Sequence, residues 1–279
     1  MTSPPAGAEP VSVRIGGGSR RAAVLSPDMA VWDGGAFFAP VTEILVGAGY
    51  RVTVFDSLSL LGEIGGNGIS RTPGRDFEAH AARWAAALER EGPFDLIGGV
   101  AFGGATALRL LAAGRSPALL LSAPYRADPV LDARLGAIAA LAAAGDLPAA
   151  QRLMLRRVTA DPGPGTAHPG PAAVPAGDVP TMADASTAAG GVVTAEAVRF
   201  AHGLSLLSGL DLSRRPRPAG RVLHLYGEHS QLVSRRHSLP DRPPRLRSLA
   251  VPGAGMRPQH DNPRFVERAV HSFLKEVAP

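Results

Sequence analysis

The chain is 279 residues long, has no cysteine and carries a formal charge of +5, nearly all of it as arginine, since Lys275 is the only lysine. The length suits one large α/β domain with ample apolar material for a core, and the missing thiols exclude disulfides, thiolate metal sites and a cysteine nucleophile. The Pro/Ala/Ser-rich tail of residues 1–10 lacks a signal peptide's apolar stretch, and runs such as Ala137 to Ala144 stop well short of the ~20 residues a bilayer needs, so a soluble cytoplasmic protein with no membrane partner is expected.

In chain order, β-rich segments alternate with helical ones, the pattern of a mostly parallel sheet covered on both faces. Val11 to Ile15 and Arg21 to Leu25 read as the first strands, with Gly16, Gly17 and Gly18 as the turn between them. Phe38 to Gly49 reads as a helix closed by glycine, and Arg51 to Phe55 as a buried strand ending at Asp56. Phe77 to Glu91 is amphipathic, with Phe77, Ala81, Trp84 and Leu88 at helical spacing, which makes Trp84 a core residue. Phe94 to Ile97 reads as the next strand, followed by a glycine-rich turn into the apolar helix Gly104 to Ala113 and the buried strand Ala118 to Ser122.

After Pro124 the pattern changes. Two alanine-rich helical stretches run to Arg157, and Asp161 to Gly191 is so dense in Pro, Gly, Ala and Thr that it cannot bury much and is expected to be mobile. Thr194 to Leu210 is helical again, Arg221 to Tyr226 and Leu246 to Val251 complete the sheet, and Pro263 to Val277 closes the chain as an amphipathic helix with proline at its start. An insertion between two strands, partly helical and partly loose, has the pattern of a lid over a pocket. The expected division is a tail over 1–10, a core over 11–123 and 218–279, and a lid over 124–217.

Three loops carry the chemistry, or its absence. Gly99, Val100, Ala101, Phe102, Gly103 and Gly104 lie between a strand and a helix, where a G-x-S-x-G nucleophile elbow belongs. This resembles the elbow of the α/β-hydrolase superfamily, and the resemblance extends over nearly the whole chain outside Thr159 to Thr194. It implies a mostly parallel eight-stranded sheet flanked by helices, with the lid inserted near Ser122. In such proteins the elbow's middle residue is a nucleophile, whereas Ala101 has no heteroatom with which to form a covalent intermediate.

The segment Val222 to Val233 resembles the superfamily's acid loop, in which an aspartate usually stands three residues after the glycine; Ser230 stands there after Gly227. Val251 to Pro263 resembles the loop whose second glycine is followed by the catalytic histidine; Met256 follows Gly255. Where a His-Gly pair commonly follows the first central strand, the chain has Ser26, Pro27 and Asp28, and an aspartate there opposes a developing oxyanion. The resemblance therefore implies a member without the Ser-His-Asp triad, with a cavity widened and made more apolar by Ala, Ser and Met.

Asp28, His260 and Tyr125 are the catalytic candidates, Asp28 foremost because the fold aims its loop at the pocket. Met29, Asp33, Ala101, Phe102, His229, Ser230 and Met256 are the substrate-binding candidates, Phe102 through a backbone N–H at a helix start. Glu228 and Asp261 are assigned to loop and helix-start hydrogen bonds, His224 to the core, and Asp56 to a structural role at a strand end. No cofactor and no metal site is expected.

The expected partner is an apolar or polyketide-like small molecule. The arginine-rich stretches Arg214 to Arg221 and Arg235 to Arg247 are compatible with an acidic carrier protein or a phosphate-bearing substrate; no recognition motif or aromatic platform accompanies the charge, so no nucleic acid is expected. Three functions stay open: a cyclase, lyase or isomerase of specialised metabolism; a binding or scaffold protein on a former hydrolase frame; and a hydrolase whose water is activated by relocated groups such as Asp28 or His260.

Overall fold

The computed structural model describes residues 9–61, 73–111, 114–161 and 193–278. The expected tail, apart from Glu9 and Pro10, and the expected mobile stretch, apart from Asp161, lie outside the described residues.

Seven strands form one sheet in the order β1-β3-β2-β4-β5-β6-β7: β1 is Ser12–Ile15, β2 Arg20–Leu25, β3 Tyr50–Phe55, β4 Leu96–Val100, β5 Ala118–Leu121, β6 Val222–Gly227 and β7 Leu246–Val251. Only β1 runs antiparallel, paired along β3; every other neighbouring pair is parallel. Seven is one fewer, among the described residues, than the resemblance implied, and it equals the number of β-rich segments in the sequence. The glycines after β1 make no hairpin, because β3 inserts between β1 and β2.

Parallel neighbours need crossovers, and helices supply them. They are α1 (Ala39–Gly47), α2 (Pro73–Glu91), α3 (Ala101–Leu111), α4 (Pro129–Ala143), α5 (Leu147–Val158), α6 (Ala195–Leu206), α7 (Pro258–Asp261) and α8 (Pro263–Glu276). Asp128, Asp146, Thr194 and Asn262 cap α4, α5, α6 and α8 by accepting from backbone N–H groups in the first turn, each cap stabilising its helix by about 1 kcal/mol. Strands β2, β5 and β6 are almost wholly buried, as a sheet covered on both faces requires. Trp84 is fully buried and donates its indole N–H to the Ser57 carbonyl at 3.0 Å. No helix among the described residues is long and apolar enough to cross a membrane.

Strand β4 runs to Val100, three residues beyond the Ile97 that the sequence indicates. Gly98 and Gly99 read as a turn, yet they are strand residues made small by close packing: a Cβ on Gly99 would stand 2.6 Å from the Gly103 backbone, and one on Gly103 2.2 Å from the Ser26 carbonyl. Helix α3 therefore starts at Ala101 and lies against the sheet. Between β5 and β6 the chain forms α4, α5 and α6, with α4 packed on both of the others.

Candidate functional site

Strand β4 turns directly into α3 at Ala101, whose φ of +48° puts a non-glycine residue in left-handed backbone space. That conformation costs about 1–2 kcal/mol and is held by the packing of Gly99 and Gly103 around it. The loop after β2, residues 26–31, runs past this turn, and the loop after β7 approaches it with Met256. A cavity of about 340 Å³ opens there. Its floor is Val100, Ala101, Pro27 to Val31 and Met256; Leu131 and Leu135 of α4, Met154, Leu155 and Val158 of α5, and Phe200 of α6 cover it. Among the described residues, Asp28 and Arg257 are its charged residues and Gln151 its neutral polar one.

Asp28 as a residue is half-buried, but its Oδ2 is shielded from solvent and has no hydrogen-bond partner. Burial away from water pushes the carboxyl pKa up to about 7, against the opposing hydrogen bond from its own backbone N–H. The carboxyl is thus close to half-protonated at neutral pH. The Nε of Arg257 is also buried and unpartnered.

Solved structures with this chain course come from several sources. The model superposes with a TM-score of 0.66 on an α/β-hydrolase enzyme from a Medee basin deep-sea metagenome library, at 12% identity over 95% of this chain and 94% of that one. It superposes at 0.64 on the esterase from Exiguobacterium antarcticum, at 14% identity over 95% of both chains, and at 0.64 on the enol-lactonase from Burkholderia xenovorans LB400, at 15% identity over 95% and 96%. The chain has the α/β-hydrolase fold. No family model matches its sequence, and no curated protein does.

Within that fold Ala101 occupies the strand-to-helix turn and faces the cavity beside Met256. Ser230 does not line the cavity, but its hydroxyl stands 3.6 Å from the Met256 sulfur, so the three positions singled out in distant loops lie close together. Met29 lines the cavity with Asp28.

The other candidates are engaged elsewhere. Phe102, singled out for its backbone N–H at the start of α3, has its side chain fully buried in the core, the ring edge-on to Phe77 and tilted against His80. Asp33 is exposed and accepts from the backbone N–H of Gly35 and Phe37 at 2.8 and 2.7 Å, closing the turn before α1. His260 is exposed too; its Nε2 donates to the Phe37 carbonyl at 2.9 Å, and the two rings meet edge to face. Tyr125 is buried between backbone partners, its N–H donating to His237 and its carbonyl accepting from Leu212. The imidazole of His229 lies 3.7 Å from Glu228. None of these five lines the cavity.

Glu228 and Asp261 accept from the backbone of Gly253 and Gly255 in the β7 loop, the loop role expected of them, whereas the helix-start hydrogen bond of α8 is made by Asn262. His224 is buried in β6, its Nε2 accepting from the Ala123 N–H at 3.1 Å. Asp56, buried at the end of β3, accepts from the Leu58 N–H and pairs with Arg199 of α6. Arg257 and Gln151 were missed. Arg257 directly follows Met256 in a loop already singled out, which was signal enough; Gln151 is one polar residue on an amphipathic helix and nothing marks it.

Proposed function

We propose that this is a non-hydrolytic enzyme without the Ser-His-Asp triad, which encloses an apolar small molecule of specialised metabolism and promotes a cyclisation, elimination or isomerisation by proton transfer at Asp28. The observation that carries this reading is the Asp28 carboxyl in the wall of an apolar cavity, its Oδ2 shielded from water and without a hydrogen-bond partner. A group titrating near neutrality can give or take a proton with little driving force lost. Ala101 supports the absence of a covalent intermediate, since it offers no nucleophile at the elbow.

Enclosure itself does much of the work in such reactions. Holding a flexible substrate in a reactive geometry contributes about 7–11 kcal/mol in favourable intramolecular cases, and an apolar wall built from α4, α5 and α6 sets that shape. Asp28 then adds the roughly 100- to 10,000-fold typical of a positioned acid or base. His260, held on the Phe37 carbonyl, is not a second base in this scheme.

The test starts from native mass spectrometry of the purified protein to identify a retained ligand, followed by turnover assays on that molecule and its precursors. Asp28→Asn is expected to slow product formation by roughly 100- to 10,000-fold with ligand binding retained. Conversion at the parent rate removes Asp28 from the mechanism. If neither parent nor variant exceeds buffer alone, the protein is a binding protein on the same frame.

A further inference from the structure

The cavity wall also holds a cation, Arg257, whose side chain is 34% exposed and which among the described residues pairs only loosely, with Asp261 at 4.0 Å. Arg257 stands between Met256 and α7 and shares the cavity with Asp28. Its Nε is buried with no acceptor. The nearest carboxylate oxygen, Oδ1 of Asp261, lies 4.0 Å from the other side of the guanidinium, and the second oxygen of Asp261 is committed to the Gly255 N–H at 2.8 Å. Buried donors left unmet cost about 1–3 kcal/mol, more for a charged group, so they are rare unless a ligand completes them.

The obvious internal solution is not taken. Asp28 and Arg257 line one apolar space, yet no ion pair joins them among the described residues, and the Asp28 carboxyl is pushed up toward neutrality, the opposite of what a guanidinium beside it does. Both residues line the cavity without pairing to each other.

We propose that Arg257 binds the acidic head of the substrate, so that the ligand of this cavity is an apolar carboxylic acid whose oxyanion meets the guanidinium while its hydrocarbon body lies against Met29, Leu135, Met154 and Phe200. A guanidinium presents N–H donors in a planar fork that matches a carboxylate. A dianionic phosphate fits less well, because Asp261 already offsets part of the charge of a single arginine. Anchoring the head at Arg257 fixes which part of the body faces Asp28, which makes Arg257 a specificity-determining residue for the proposed chemistry.

The inference rests on the cavity being the ligand site, and the experiment separates the two. Calorimetry at pH 7 on the full chain compares octanoate with octanamide, its neutral planar isostere, for the parent and for Arg257→Gln, with circular dichroism confirming that the variant is folded. The parent is expected to bind octanoate about tenfold or more tighter than octanamide, the advantage of a charge-assisted hydrogen bond. Arg257→Gln is expected to bring the two within about twofold by weakening octanoate alone. Equal binding of both probes by the parent, which needs no variant to observe, overturns the role of Arg257 and leaves the cavity reading standing, as does a variant that keeps the preference. If neither probe binds the parent, the inference falls together with the cavity reading.

Discussion

Replacing Asp28 with asparagine removes a carboxylate from the cavity wall at almost constant shape, and its effect on stability follows from the pKa. The carboxyl ordinarily titrates at 3.8 and in the folded protein near 7, a difference worth roughly 4 kcal/mol by linkage. Below pH 3.8 both folded and unfolded chains hold the proton and there is no penalty. Between about pH 4 and 7 the unfolded chain ionises while the folded one keeps its proton, so stability is lost as pH rises; above pH 7 the whole penalty is present. Asparagine still leaves a polar group unmet, so Asp28→Asn should recover about 2 kcal/mol at pH 8 and nothing at pH 4. In a chain of this size that is a rise in Tm of about 3 °C at pH 8.

The parent curve alone cannot reveal this, because buried histidines act in the opposite sense. Burial holds His80 and His224 down at about 3 from an ordinary 6.5, so their contribution is full above pH 6.5 and is lost as pH falls toward 3. Neither histidine is among the groups that shift Asp28, so the difference between variant and parent isolates the carboxyl. The measurement is thermal unfolding of both proteins from pH 4 to 8. A variant no more stable than the parent at pH 8, or a gain of equal size at pH 4, refutes the premise that burial raises the Asp28 carboxyl with its Oδ2 left unpartnered.

Two further outcomes concern the elbow. The parent should hydrolyse no activated ester above background and take no fluorophosphonate label, and Ala101→Ser alone should not restore turnover, since losing the acid–base partner of a serine costs roughly a million-fold; hydrolysis by that single variant would expose a base near Ala101. Ala101→Gly should leave stability within about 1 kcal/mol of the parent, because relief of the left-handed backbone offsets the extra entropy of the unfolded chain. A loss of more than about 2 kcal/mol in a urea titration would mean that the turn is not strained.

Much of the fold was legible because it depends on local pattern. Apolar runs of strand length, amphipathic spacing around Trp84 and the proline that opens α8 are properties of short windows, and they place most elements to within a few residues. The end of β4 was misread for the same reason: Gly98 and Gly99 look locally like a turn, and only the approach of α3 makes their smallness a packing requirement. The site divides along this line as well. That Ala101 lacks a nucleophile follows from residue identity, and that Met256 and Asp28 stand in loops aimed at one place is what the resemblance to the α/β-hydrolase superfamily implies.

Which polar groups face the cavity does not follow, because a side chain's direction depends on partners far away in the chain. His260 turns to a carbonyl 223 residues earlier, Asp33 to its own turn, and Arg257, one residue from a position already singled out, faces the cavity instead. The sequence by itself determined the order of strands and helices and the chemistry missing from the elbow, since both are written in local residue types. The insertion of β3 between β1 and β2, the apolar cover formed by three helices, and the isolation of Asp28 from Arg257 were decided only by the tertiary structure, since each depends on long-range packing that brings distant segments together and excludes water between them.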